Sequence, residues 1–220
     1  MSAGVAKVPG EQFERFAPVR NLKMGMWLYL GSDAMWFGGL IGAYFLIRYT
    51  HIPLPEALGA EFFTETANWS ALKFNWPIPH YVLGITLTSI MTFILICSSV
   101  SMVLSIAAIQ RGDQAGLVRW LWVTVGGGIF FLGCQVYEYA HLIGEGITLT
   151  NHLFGSTFYA LTGFHGMHVF SGVVYLIVIT LRAMSGKFTE DNYQAVEVAG
   201  LFWHFVDLVW ILVFTFVYLI

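Results

Sequence analysis

Residues 153–181 read LFGSTFYALTGFHGMHVFSGVVYLIVITL, a run without a single Asp, Glu, Lys or Arg. About 20 apolar residues suffice to cross the hydrocarbon core of a bilayer, so the stretch predicts a membrane-spanning helix. Its two histidines then become the question. His165 and His168 are three residues apart and share one helix face. They are either ligands for a haem or a metal, or polar groups with a structural task.

Composition points the same way as the stretch. The chain has 220 residues, 57% of them hydrophobic and 10% charged. Soluble domains carry about 25% charge, so an ordinary wetted surface is excluded and lipid is the expected solvent. A formal net charge of -3 gives no argument for a nucleic-acid partner. Cys97 and Cys134 stand far apart in apolar segments with no CxxC, so no zinc ribbon, redox dithiol or c-type haem attachment is encoded. They read as small buried hydrophobes. The N-terminal MSAGVAKVPGEQFERF lacks the apolar core of a signal peptide, and no cleavage is expected.

Working outward, four more long apolar runs appear, giving spans near 24–47, 80–109, 118–141, 153–181 and 198–220. The expected fold is therefore an all-α integral membrane protein, a single five-helix bundle over 24–220 behind a cytoplasmic segment 1–23. The second and fourth runs exceed the bilayer thickness and should tilt or protrude. The 48–79 connection, with Pro53, Pro55, Pro77 and Pro79, reads as an outer loop; the other connections are short and favour packing of sequential neighbours. Lys7, Arg15, Arg20, Lys23, Arg111, Arg119, Arg182 and Lys187 fall on one side of this arrangement, against Arg48 and Lys73 on the other. The positive-inside rule places the N-terminus in the cytoplasm and the C-terminus outside. Trp27, Trp69, Trp76 and Trp120 sit near span boundaries, as interfacial anchors do. Gly38 and Gly42 form a GxxxG on the first span, and Gly126 to Gly128 run through the third, where small residues permit close helix approach.

Ionisable side chains inside spans are expensive and mark function or specific pairing. Here they are Asp33, Glu138, His141, His165, His168, His204 and Asp207, with Glu197 at an inner edge. Glu138-x-x-His141 has the form used by di-iron bundles. Depth argues against joining it to the histidine pair: at a rise of about 1.5 Å per residue, His165 lies roughly 18 Å below the outer face, near which Glu138 sits. Metal–ligand bonds of about 2 Å cannot bridge that gap. The same arithmetic sets Asp33, His168, His204 and Asp207 within about 5 Å of one another in height, a candidate buried polar layer. A bis-histidine haem between His168 and His204 stays open on spacing alone. Asp33 is either proton-linked or a neutral hydrogen-bonded carboxylate, since burial disfavours its charged form.

Longer motifs carry more than spacing. SDAMWF at 32–37, QVYEYAHL at 135–142, GSTFYALTGFHGMHVFSG at 155–172 and WHFVDLVW at 203–210 resemble subunit III of haem-copper terminal oxidases, in the correct order from about residue 24 to the end. Five spans match the shorter bacterial form; the mitochondrial form has two additional helices at its start, which some bacteria fuse to subunit I. The resemblance implies a non-catalytic accessory subunit of a proton-pumping aa3-type cytochrome c oxidase in the bacterial cytoplasmic membrane. Such a subunit holds no haem, copper or other metal, and the haems and copper belong to partner subunits. It packs on subunit I, with subunit II, a small subunit IV and a supercomplex with an upstream quinol-oxidising complex as further partners. It also binds phospholipid and supports proton uptake and turnover stability.

By that resemblance Asp33 stands where many members have a glutamate linked to the lipid cleft and proton uptake; quinol-oxidising relatives tend to have aspartate there. Glu138, His165, His168, Glu197, His204 and Asp207 match family positions of a buried polar network that packs the helices. Arg182 matches an arginine contacting lipid phosphate, a role suited to a guanidinium fork, and Lys187 adds a second positive charge nearby. Ordinary positive-inside topology is the alternative explanation for both cations, above all for Lys187. The competing classes are a quinol oxidase subunit, a membrane b-type haem protein, a proton-coupled transporter and an accessory subunit of nitric oxide reduction. A transporter often carries inverted repeats, and no repeat is found. Seven histidines and five spans are few for subunit I, and no Cys-x-x-x-Cys loop provides the binuclear copper site of subunit II.

Overall fold

The computed structural model describes residues 10–49, 85–144, 149 and 153–219. Lys7, Trp69, Lys73, Trp76, residues 50–79 of the expected outer loop and residues 80–84 of the expected second span lie outside the described residues. Among the described residues the chain is all helical: α1 (Gly10–Tyr49), α2 (Ile85–Gln110), α3 (Gln114–Gly144), α4 (Leu153–Met184) and α5 (Gln194–Val213). Phe214–Leu219 continue α5 as a π-helical segment. α2 to α5 are each long and apolar enough to cross a membrane. α1 is the longest helix but less uniformly apolar, and it starts at Gly10, well ahead of the span read from hydropathy. Residues 10–23 are rich in Glu, Gln, Arg and Lys, which favour helix without being hydrophobic.

The two tight connections at one end explain themselves in the sequence. α2 stops at Gly112, whose φ is +73°. Gly112 N–H donates to Ile109 O, and Asp113 N–H to Ala108 O, so orphan carbonyls are closed off in a glycine-based C-terminal cap. Asp113 then caps α3, its Oδ1 accepting from Gly116 N–H at 2.8 Å. α4 ends in the same device at Gly186, φ +67°, with Lys187 N–H donating to Arg182 O. Gln110 Nε2 to Tyr193 Oη (3.2 Å) and Gln114 Nε2 to Ala183 O (2.6 Å) tie these two connections together. Arg111, Arg182 and Lys187 consequently share one end of the bundle.

Serines and threonines are frequent in α2, and in a helix without water around it their hydroxyls must be satisfied internally. Thr92, Ser98, Ser101 and Ser105 each donate to a carbonyl three or four residues back. Thr92, Ser98 and Ser101 also bond to neighbouring helices. Trp203 Nε1 donates to Ser98 Oγ at 3.0 Å and Trp210 Nε1 to Thr92 Oγ1 at 2.9 Å. Ser101 and Thr124 join α2 to α3 at 2.7 Å.

Sequential helices pack together from α2 to α5, and α5 also meets α1 and α2. α5 is thus the centre of the bundle, and its two tryptophans are fully buried. A Cβ added at Gly128 of α3 would stand 2.5 Å from Val173 Cγ2 and 2.6 Å from Trp203 Cη2, so only hydrogen fits there. Gly38 and Gly42 have nothing within 4 Å at the same position. The GxxxG of α1 is therefore not spent on packing within the described chain. Outward faces of all five helices carry large apolar side chains, including Trp36, Phe93, Ile129, Phe170 and Leu208. Helices apolar on every side suit a lipid or protein surround.

Candidate functional site

The two histidines of α4 part company. His168 turns toward α1 and places Nε2 3.2 Å from Asp33 Oδ1. Its Nδ1 lies 2.8 Å from the carbonyl of Phe164. A carbonyl only accepts, so Nδ1 carries a hydrogen. Nε2 then meets Asp33 in one of two ways: an imidazolium donating to a carboxylate, or a neutral imidazole accepting from a carboxylic acid. In either form one proton lies between the two side chains and the pair is neutral overall. This is an inexpensive way to keep two ionisable groups in lipid, because neither is left as a lone charge. Phe37 of α1 covers the pair, its ring 5.2 Å from that of His168.

His165 points inward instead and is fully buried. It stacks on Trp210 with centroids 4.9 Å apart and meets the edges of Phe37 and Phe131. Neither ring nitrogen has a hydrogen-bond partner among the described residues. Its environment is aromatic packing, and no group of three His, Cys, Asp or Glu side chains among the described residues is placed to hold a metal ion.

The expected inner layer resolves into two pairings on different helices. Asp33 meets His168 between α1 and α4. His204 and Asp207, on α5, face α2: His204 Nδ1 is in close contact with Ser99 Oγ. Asp207 is buried beside the same serine, yet the hydroxyl's tight contact is with the histidine, and neither Asp207 oxygen has a partner of good geometry. Glu197 sits one end further along α5 and pairs with Lys23 at 2.6 Å. Lys23, Trp27, Ile106, Glu197 and His204 line an open groove there.

At the opposite end, Glu138 is buried and accepts from Tyr218 Oη, which lies 3.1 and 3.3 Å from its two oxygens. Close by, Tyr139 Oη and Thr162 Oγ1 are 2.7 Å apart, and Gln135 Nε2 donates to both Tyr139 Oη and the Thr162 carbonyl. Arg182 stands in the last turn of α4 and Lys187 just beyond it, both exposed. Neither has an acidic partner within ion-pair distance among the described residues.

Sequence reasoning missed Tyr218, Ser99 and the pairing role of Lys23. Hydroxyl residues are too common in these apolar helices for Ser99 to stand out. Tyr218, the partner of Glu138, lies in the π-helical segment Phe214–Leu219. In the sequence Lys23 reads as a topology signal alone.

Residues 11–220 match the family model described as cytochrome c oxidase subunit III. The chain belongs to the cytochrome c oxidase subunit III family. Among its relatives, a probable cytochrome c oxidase subunit 3 of Nocardia farcinica is 34% identical over 199 residues, covering 90% of this chain and 88% of that one. Its counterpart in Mycobacterium tuberculosis is 36% identical with the same coverage. The cytochrome c oxidase subunit 3 of Thermostichus vulcanus is 35% identical over 90% of this chain and 86% of its own length. Membership of this subunit III family implies a membrane complex with other oxidase subunits and a place in a respiratory chain.

Proposed function

We propose that this chain is the non-catalytic subunit III of a proton-pumping aa3-type cytochrome c oxidase in a bacterial cytoplasmic membrane. It spans the membrane five times with its N-terminus inside. The observation that carries this reading is the family match across α1 to α5, supported by the pairing of Asp33 with His168 between α1 and α4. Cytochrome c as electron donor is favoured over quinol by the names of the similar relatives. The haems and copper belong to partner subunits, with subunit I packed directly against this chain.

Asp33 and His168 form the unit that supports proton uptake, since they hold one mobile proton between them. Glu138, His165, Glu197, His204 and Asp207 hold the helices in register around it. Replacement Asp33→Ala is expected to leave the haem spectrum of the complex unchanged while slowing proton uptake or shortening the turnover lifetime. Loss of haem would point to a ligand or structural role and overturn the assignment.

Arg182 and Lys187 bind the phosphate of an anionic phospholipid at the inner interface, and each contributes about 1 kcal/mol of attraction. The double variant Arg182→Ala/Lys187→Ala should retain less phospholipid through purification, read by mass spectrometry of the extracted complex. Unchanged lipid content would leave both cations as topology signals only.

A further inference from the structure

The bond from Tyr218 to Glu138 does more than satisfy a buried acid. Oxidising a tyrosine at a low potential requires that its phenolic proton leave with the electron, which in an apolar interior demands a base within hydrogen-bond reach. Tyr218 is buried and has both oxygens of a carboxylate at 3.1 and 3.3 Å. Two of the aromatic residues near it, Trp210 and Tyr139, lack that feature. Trp210, 6.3 Å away between ring centroids, donates its N–H to the hydroxyl of Thr92. Tyr139 meets the hydroxyl of Thr162 and the amide of Gln135. Neither of those groups is a base.

The rings also form a connected path. Tyr218 contacts Phe158 at 5.9 Å, Phe158 contacts Tyr139 at 6.3 Å and Tyr159 at 5.5 Å, and Tyr139 and Tyr159 are 5.0 Å apart. Tyr159 is half-buried and reaches the outside of the bundle. Centroid steps this short support fast electron tunnelling.

We propose that Tyr218 is a redox-active tyrosine, with Glu138 as its proton acceptor and the surrounding rings as the route by which its electron leaves. A high-potential one-electron acceptor takes one electron from Tyr218. The phenolic proton moves to the Glu138 carboxylate, giving a neutral tyrosyl radical and a carboxylic acid. Return of an electron from any reductant draws the proton back and restores the pair. Partially reduced oxygen species belong to the class of acceptor required; that physiological source rests on the proposed oxidase role, whereas the chemistry of the pair does not.

The test uses the intact complex in lipid nanodiscs, oxidised by a photogenerated ruthenium(III) polypyridyl and frozen for electron paramagnetic resonance. An external oxidant keeps the outcome independent of oxidase activity. The complex should give a tyrosyl signal that is lost from Y218F, a variant that keeps the ring and its packing. Y137F, at an exposed tyrosine of α3, should leave the signal unchanged. E138Q, which keeps the shape but removes the base, should abolish or sharply shorten it. Absence of a tyrosyl signal from the unmodified complex, or the same signal in Y218F, overturns the proposal. An undiminished signal in E138Q overturns the role of Glu138.

Discussion

Trp203→Ala should destabilise the subunit by about 3–5 kcal/mol, the range for deleting a large buried aromatic. Trp203 is fully buried where α3, α4 and α5 meet, against Gly128 and Gly172, and its indole N–H is bonded to Ser98 of α2. In lipid, helices gain nothing by hiding apolar surface from one another, so their association depends on close packing and interhelical hydrogen bonds. Removing this side chain removes both at once and leaves a cavity. The complementary change, Gly128→Val, pushes atoms into space that Val173 and Trp203 already occupy and should cost about 1–3 kcal/mol. Because the two sites touch, their effects should not add. The double variant should be more stable than the sum of the single changes allows, since the valine partly fills the space left by the indole. Unfolding of the complex in mixed micelles measures all three. Strict additivity would contradict the packing described here.

The second large effect is expected at Asp33 and His168. Removing either partner strands the other as an unpaired polar group, and breaking a buried pair in this way costs about 3–5 kcal/mol. Asp33→Ala and His168→Ala should therefore each detach α1 from α4 to a similar degree. The double variant should cost little more than either single one. A coupling energy near zero in the complete cycle would mean that the two side chains do not share a proton. Asp33→Asn separates charge from shape: the amide can still donate to Nε2 but gives up no proton, so it should preserve stability better than it preserves proton uptake. Lys23→Ala breaks an ion pair that is partly exposed, and its effect on stability should stay near the small values typical of such pairs.

The long apolar helices, and a layer of similar height holding Asp33 and His168, were legible because each follows from a one-dimensional quantity, but which acid meets His168 was not. Apolar length gives the spans, and height along a helix gives residues that can meet. Height does not give rotation about the bundle axis, so His204 and Asp207 were drawn into the same layer although they face α2. Their true neighbour, Ser99, carries no charge and looks like any other hydroxyl in an apolar run. The Tyr218 pairing was illegible for a different reason. Tyr218 lies in a π-helical segment, whose winding differs from that of a regular α-helix, and nothing in FTFVYL marks that change. Glycines divide in the same way. Gly112 and Gly186 announce helix ends through their neighbours, but nothing in the sequence tells that Gly128 is filled by a tryptophan while Gly38 and Gly42 stay open.

The open glycines and the apolar outer faces of α1 suit a surface that a larger partner or lipid covers. That this chain serves an oxidase whose haem and copper all lie in its partners is tested most directly by one purification. The tagged chain is drawn from native membranes in mild detergent, its partners are identified, and visible spectra are recorded before and after it is separated from them. The large haem-bearing subunit and a subunit with the copper-binding cysteines should accompany it. All haem absorption should then stay with those partners. A stoichiometric haem band on the separated chain, or its recovery from membranes without any oxidase subunit, would contradict it.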